Sequence, residues 1–207
     1  MSGEKVVIRR ALLGVSDKRG LAEFARALAR HRVEIVSTGG SRATLESAGI
    51  TVRAIEDFTG FPEILDGRVK TLHPKVHGGI LARRSDGSHQ RQMKEHALEA
   101  IDLVAVNFYP FEKIVANDGV TLNDAIENID IGGPTLVRAA AKNFTDVAVV
   151  VDPADYSAIA EEMDASGGAV SAETRWRLAR KAFARVTQYD SAISNWLSAR
   201  AEPEGGA

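Results

Sequence analysis

Apolar positions along this chain fall into short β-branched runs that alternate with stripes at three- to four-residue spacing. Val6 to Val15 reads as a first strand, apolar apart from Arg9 and Arg10, and it runs into the polar turn Ser16-Asp17-Lys18-Arg19-Gly20. Leu21, Phe24, Ala25 and Leu28 then recur at helical spacing. Val33 to Val36 reads as a second strand ending in Ser37-Thr38-Gly39-Gly40-Ser41, followed by a helix near Arg42 to Ala48 that stops at Gly49. Ile50 to Ile55 reads as a third strand. Strand, polar turn and helix in this order predict an α/β fold with a mainly parallel central sheet and crossover helices.

The pattern continues with a helix predicted over Met93 to Ala100 and a strand over Asp102 to Val106, whose end delivers Asn107-Phe108-Tyr109-Pro110. Thr121 with Asp124 reads as a capping box. Pro134 fits the first turn of a helix carrying Thr135 to Asn143. Val147 to Val151 is a further strand, and Asp152-Pro153 opens another helix. From Ser171 the character changes: Trp176, Ala179, Phe183, Val186, Ile193 and Leu197 predict a C-terminal helical section. Residues 201–207 have the composition of a linker.

The totals fit an ordinary globular chain: 207 residues, 44% hydrophobic and 26% charged. A net charge of −2 argues against nucleic acid or an anionic membrane as partner. Cysteine is absent, which removes disulfides, thiolate metal sites and cysteine nucleophiles. The N-terminal run is too broken by charge for a secretory signal, so a cytoplasmic protein is expected.

Candidate chemistry concentrates where the sheet should open. Gly67-Arg-Val-Lys-Thr-Leu-His-Pro-Lys-Val-His-Gly-Gly79 has neither strand nor helix periodicity and reads as a structured loop. Arg68, Lys70 and Thr71 within it suit an anion; a solvated basic turn is the alternative. Ser16-Asp17-Lys18 and Thr38-Gly39-Gly40-Ser41 fall at carboxyl ends of strands, where ligands of open α/β sheets bind and helix N–H groups face an anion. Asp130, between two isoleucines and before paired glycines, reads as a buried carboxylate at a helix N-terminus, where the helix dipole favours its charge. A helix cap is its alternative role. Lys142 lies near the other end of that helix. His73 and His77 have the spacing of a helical metal pair, but Pro74 intervenes and no third ligand is near, so no metal is expected.

Taken together, Ser16-Asp17-Lys18, Ser37-Thr38-Gly39-Gly40, Thr59-Gly-Phe-Pro-Glu-Ile-Leu65, Gly67 to Pro74, Asn107 to Phe111, Ile129-Asp-Ile-Gly-Gly133 and Arg138-Ala-Ala-Ala-Lys-Asn143 resemble one family. It is the inosine monophosphate (IMP) cyclohydrolase domain of the bifunctional purine-biosynthesis enzyme, and the resemblance runs from about Ala11 to Arg200. It implies a methylglyoxal-synthase-like (MGS-like) fold over 1–200, with 201–207 leading towards a folate-dependent formyltransferase domain that this chain lacks. The implied reaction closes the formamido-imidazole-carboxamide ribotide (FAICAR) to IMP and water, with no cofactor or metal. The implied partner is this purine ribotide, and a homodimer is expected.

Carried over by the resemblance, Ser16, Asp17, Lys18, Thr38, Gly39, Gly40, Ser41, Arg68 and Thr71 bind the nucleotide. Asn107 contacts the base, and the N–H groups of Ile131 and Gly132 hold the formyl oxygen. Lys70, Tyr109, Asp130 and Lys142 are implicated in the chemistry, with Asp130 and Lys142 both standing as candidates for the first proton transfer. Gly14 replaces a serine of some relatives, which removes one hydroxyl contact. A methylglyoxal-synthase-type lyase would be shorter and would lack the 129–133 and 138–143 motifs. A nucleotide-sensing regulatory module of the same fold is the reading of a different class; it predicts binding without turnover.

Overall fold

In the computed structural model, residues 5–109, 111–117 and 119–200 are described. The linker-like tail expected at 201–207 lies outside them, as does Pro110. The elements in chain order are β1 (Val6–Val7), β2 (Arg10–Val15), α1 (Leu21–Arg30), β3 (Glu34–Ser37), α2 (Gly39–Ser47), β4 (Arg53–Ala54) and α3 (Ile55–Thr59). There follow α4 (Pro74–Leu81), α5 (Gly87–Glu95), β5 (Leu103–Asn107), α6 (Phe111–Val115), α7 (Leu122–Glu127) and α8 (Gly132–Lys142). The chain continues with β6 (Ala148–Val150), α9 (Tyr156–Ser166), β7 (Ala169–Val170) and α10 (Ala172–Ser198).

Five strands form a parallel sheet in the order β4-β3-β2-β5-β6, with Leu12 opposite Val36 on one side and Val104 on the other. Ala11, Leu12 and Leu13 are buried in succession, as are Leu103 to Val106. Consecutive burial means that both faces are covered, which is why these strands read as unbroken apolar runs. Helices α8 and α10 pack on β6, while α1 and α2 pack on β3 and β2. The chain steps outward from β2 through β3 to β4, then returns to β2's other side at β5. A crevice therefore opens between the carboxyl ends of β2 and β5. No helix of the described residues is long and apolar enough to cross a membrane.

Several boundaries differ from expectation, each for a local reason. The single strand expected over 6–15 is broken, because the Asp102 carboxylate accepts the N–H groups of both Arg9 and Arg10 at 2.9 and 3.0 Å. Its first part, β1, instead pairs antiparallel with β7. Arg10 is tolerated in the central strand because Glu34 and Glu99 neutralise it at 2.5 and 2.7 Å. The expected third strand shortens to Arg53–Ala54.

The 67–79 segment is a loop only in its first half. Pro74 starts α4 at its first turn, and His73 Nδ1 accepts the Lys75 N–H at 3.1 Å as the N-terminal cap. The helix expected over 93–100 lies earlier, at α5, where the Asp86 carboxylate accepts from Ser88 N–H at 2.9 Å. No residue of α5 is buried, so it has no apolar stripe to betray it. The Thr121–Asp124 capping box forms as expected.

Helix α10 carries two interleaved apolar faces. Leu178, Ala179, Ala182, Val186 and Tyr189 are buried, whereas Trp176, Phe183 and Leu197 lie on the exposed side. Arg175, almost fully buried, ties α10 to the sheet by donating to the carbonyls of Phe144 and Thr145 at 2.9 and 3.0 Å and to that of Val170 at 2.5 Å.

Candidate active site

A cavity of about 800 Å³ occupies the β2–β5 crevice. Its lining includes Ser16, Lys18, Thr38, Gly39, Gly40, Ser41, Arg68, Lys70, Thr71, Asn107, Tyr109, Asp130, Ile131 and Gly132. Sequence positions far apart thus converge on one space, and they divide into a cationic half and a carboxylate half.

The cationic half is built on the first turn of α2. Its N–H groups have no partners within the helix. Thr38, extended at the cap position, makes no capping bond, and its buried Oγ1 has no hydrogen-bond partner. Lys18 Nζ stands 3.5 Å from where a Cβ on Gly40 would lie, and Lys70 Nζ 3.5 Å from the same point on Gly39. Two ammonium groups beside the positive end of a helix suit an anion, although Lys70 already has the Glu63 carboxylate 3.9 Å away. The orphaned hydroxyl, the free N–H groups and the two lysines together have the chemistry that suits a phosphate. Arg68, at the rim, is ion-paired to Glu127. Replacing Lys18 with alanine is expected to weaken binding of a nucleoside monophosphate about 10–100-fold. Calorimetric titration at two salt concentrations checks this, with a shallower salt dependence in the variant.

The carboxylate half centres on Asp130, in the turn from α7 to α8. Gly133 N–H donates to its Oδ1 at 2.8 Å. An added Cβ at Gly133 would fall 2.5 Å from the Asp130 Oδ2, so a glycine is needed to seat the carboxylate. Burial pushes the Asp130 carboxyl above its ordinary value, and the Gly133 hydrogen bond opposes this only in part. The shift is thus opposite in direction to the one expected at a helix terminus, because desolvation is its largest cause. Thr71 Oγ1 lies 2.8 Å from the position of a Gly132 Cβ, which closes the loop of Thr71 against the start of α8. Tyr109 is 57% exposed at the corner after β5.

Four expected site residues make other contacts or lie elsewhere. Asn107 Oδ1 accepts the N–H groups of Ser16 and Asp17 at 2.7 and 2.8 Å, and its Nδ2 donates to Asp17 O at 3.2 Å. Its amide clamps the β2–α1 turn, where a base contact was expected. Ser41 Oγ accepts from Val15 N–H and donates to Val15 O, both at 2.9 Å, so its hydroxyl joins α2 to β2. Asp17 turns away to Arg19, which holds its carboxyl down at about 2, and it lines a neighbouring cavity against α10. Lys142 is exposed as the last residue of α8, about 15 Å along the helix axis from its first turn, and does not line the cavity.

The sequence reading passed over Gly133, although it stands in the 129–133 motif, and Glu127, the partner of Arg68. It also passed over Tyr189, whose Oη accepts the Asp130 N–H at 2.8 Å across 59 residues. A tyrosine in an amphipathic helix carries no local sign of such a contact.

A family model described as the MGS-like domain matches residues 20–135, and one described as the AICARFT/IMPCHase bienzyme matches residues 140–206. The bifunctional purine biosynthesis protein PurH of Acidithiobacillus ferrooxidans is 58% identical over 191 residues, covering 92% of this chain and 37% of that protein. PurH of Magnetococcus marinus is 57% identical over 192 residues, covering 93% of this chain and 36% of the relative. This chain thus spans little more than a third of the length of these curated relatives. Among solved structures, that titled crystal structure of ForH superposes with a TM-score of 0.79 at 38% identity, covering 90% of this chain and 97% of that one.

Proposed function

This chain belongs to the MGS-like domain family, and from that premise we propose that it is an IMP cyclohydrolase, closing FAICAR to IMP and water. The observation that carries the reading is the facing of a cluster of cations at a helix N-terminus by a half-buried carboxylate, Asp130, within one cavity. The names of the PurH relatives and the AICARFT/IMPCHase match support a place in purine biosynthesis.

In the proposed reaction the ribotide phosphate lies on the α2 terminus between Lys18, Lys70 and Thr38, and Arg68 exchanges Glu127 for the phosphate. Lys70 thereby serves the phosphate. The carboxamide nitrogen attacks the formyl carbon, and Asp130 takes the amide proton. Its raised pKa makes it a stronger base than an ordinary surface carboxylate. N–H groups of Ile131 and Gly132 face the developing oxyanion, which takes the proton back from Asp130 to complete the carbinolamine. Loss of that hydroxyl with the formamido nitrogen's proton yields water and the closed ring. No electron changes hands, so no redox cofactor enters. Tyr109 covers the ring from the rim.

Lys142 has no part in this scheme. Lys142→Ala is expected to leave kcat and KM within about twofold of the parent, the range of a surface substitution. The reading as a whole is tested by mixing the chain with FAICAR, adding neither metal nor folate, and following IMP by chromatography. Rapid product is expected; ribotide binding with no product would sink the cyclohydrolase reading in favour of a nucleotide-sensing module. The same reading takes 1–200 as one catalytic domain, with a folate-dependent formyltransferase domain beyond the 201–207 linker in the full-length protein. A cytoplasmic homodimer is its working form.

A further inference from the structure

We propose that Tyr189 is a positioning residue for ring closure, its hydroxyl holding Asp130 where the carboxylate meets the reacting amide. This rests on the cyclohydrolase reading. Asp130 has two anchors. Its side chain is fixed from within the turn by Gly133 N–H at 2.8 Å, while its backbone N–H is fixed from outside by Tyr189 Oη, also at 2.8 Å.

The second anchor comes from the middle of α10, and Tyr189 is only 3% exposed. A phenylalanine would fill the same space, so packing alone gives no reason for a hydroxyl there. A buried hydroxyl costs free energy unless it is paired, and its partner here is the Asp130 backbone. The ring adds a second connection. It packs tilted on Phe108 with centroids 4.9 Å apart and meets Phe111 edge-on at 6.5 Å. Phe108 lies between Asn107 and Tyr109, both on the cavity wall. One side chain therefore sets the distance between the corner after β5 and the turn that carries the carboxylate. Proton transfer to Asp130 depends on that distance to a fraction of an ångström.

Tyr189→Phe removes the hydroxyl and keeps the ring. For the ring-closing chain, kcat is expected to fall about 10–100-fold with KM within twofold, since the phosphate seat is untouched. The backbone amide of Asp130 is expected to exchange its hydrogen faster in the variant, and to be protected in the parent. A Tyr189→Phe chain that loses thermal stability yet keeps the parent's kcat would overturn the proposal. So would an unprotected Asp130 amide in the parent, a reading that needs neither the variant nor turnover. A parent that closes no ring refutes the activity and with it Tyr189's role in closing the ring, while amide protection still shows whether the two residues are joined.

Discussion

Asp130→Asn is expected to slow IMP formation by about 10²–10⁴-fold, the usual share of a positioned acid–base group. Asparagine keeps the shape of the side chain and can still accept the Gly133 N–H, now at 2.8 Å from Oδ1, so the turn into α8 should survive. What is lost is the basic oxygen. The same substitution is expected to raise the melting temperature at neutral pH. Burial raises the Asp130 carboxyl pKa in the folded chain, so folding favours the protonated acid. That contribution is complete below the unfolded value and is lost as pH rises through the raised folded value. Asparagine carries no such penalty. The variant's advantage should therefore vanish in acid and grow as pH rises through that window. Melting curves against pH, read beside kcat, check both halves; equal melting of the two proteins at neutral pH would refute the burial argument.

Gly79→Ala is expected to be the most damaging small substitution in the scaffold. A Cβ there would lie 2.3 Å from the carbonyl oxygen of Glu99 and 3.4 Å from Ile101 Cγ1. The obstacle is backbone, and that backbone is held close because Ile101 N–H donates to Gly79 O at 3.0 Å. Either α4 must retreat or the segment leading into β5 must bend. Overpacking of this kind costs about 3 kcal/mol. In a chain of this length that lowers the melting temperature by roughly 6–12 °C. Gly78→Ala is the matched control. Its Cβ meets Leu98 Cδ1 at 2.8 Å, the free end of a side chain that can swing aside. Calorimetric melting of the pair should show a large loss for position 79 and a small one for position 78.

The parallel sheet and the two turns that line the cavity are legible because β-branched runs, polar turns and helical stripes alternate over residues 6–55. Thr38 and Lys18 could be placed at strand ends by that alternation alone. Helix α5 escaped because a helix with no buried residue has no hydrophobic period. The start of α4 escaped because the 67–79 segment shows no helical period, although Pro74 is well suited to a first helical turn. Lys142 lies away from the cavity for a related reason. Its motif follows that of Asp130 closely in sequence, but the two are separated by the length of α8, and a helix converts sequence distance into axial distance. Asn107 and Ser41 line the cavity, and sequence does not reveal that their side chains also bond backbone there. Membership of the MGS-like family accords with the expected fold.

The position of α10 at the end of the chain bears on how a nascent molecule acquires its abilities. Lys18, Thr38 and Lys70 emerge early, and β5 follows to supply Asn107, which joins the Ser16–Asp17 turn across ninety residues. Until then β2 lacks one of its two neighbours. Once β5 docks, every group of the proposed phosphate seat is present. The Asp130 turn still waits for Tyr189, which is made 59 residues later. During translation the capacity to hold a nucleotide should thus precede the capacity to transform it. A bound ribotide would stabilise the half-made sheet before the last helix closes over it.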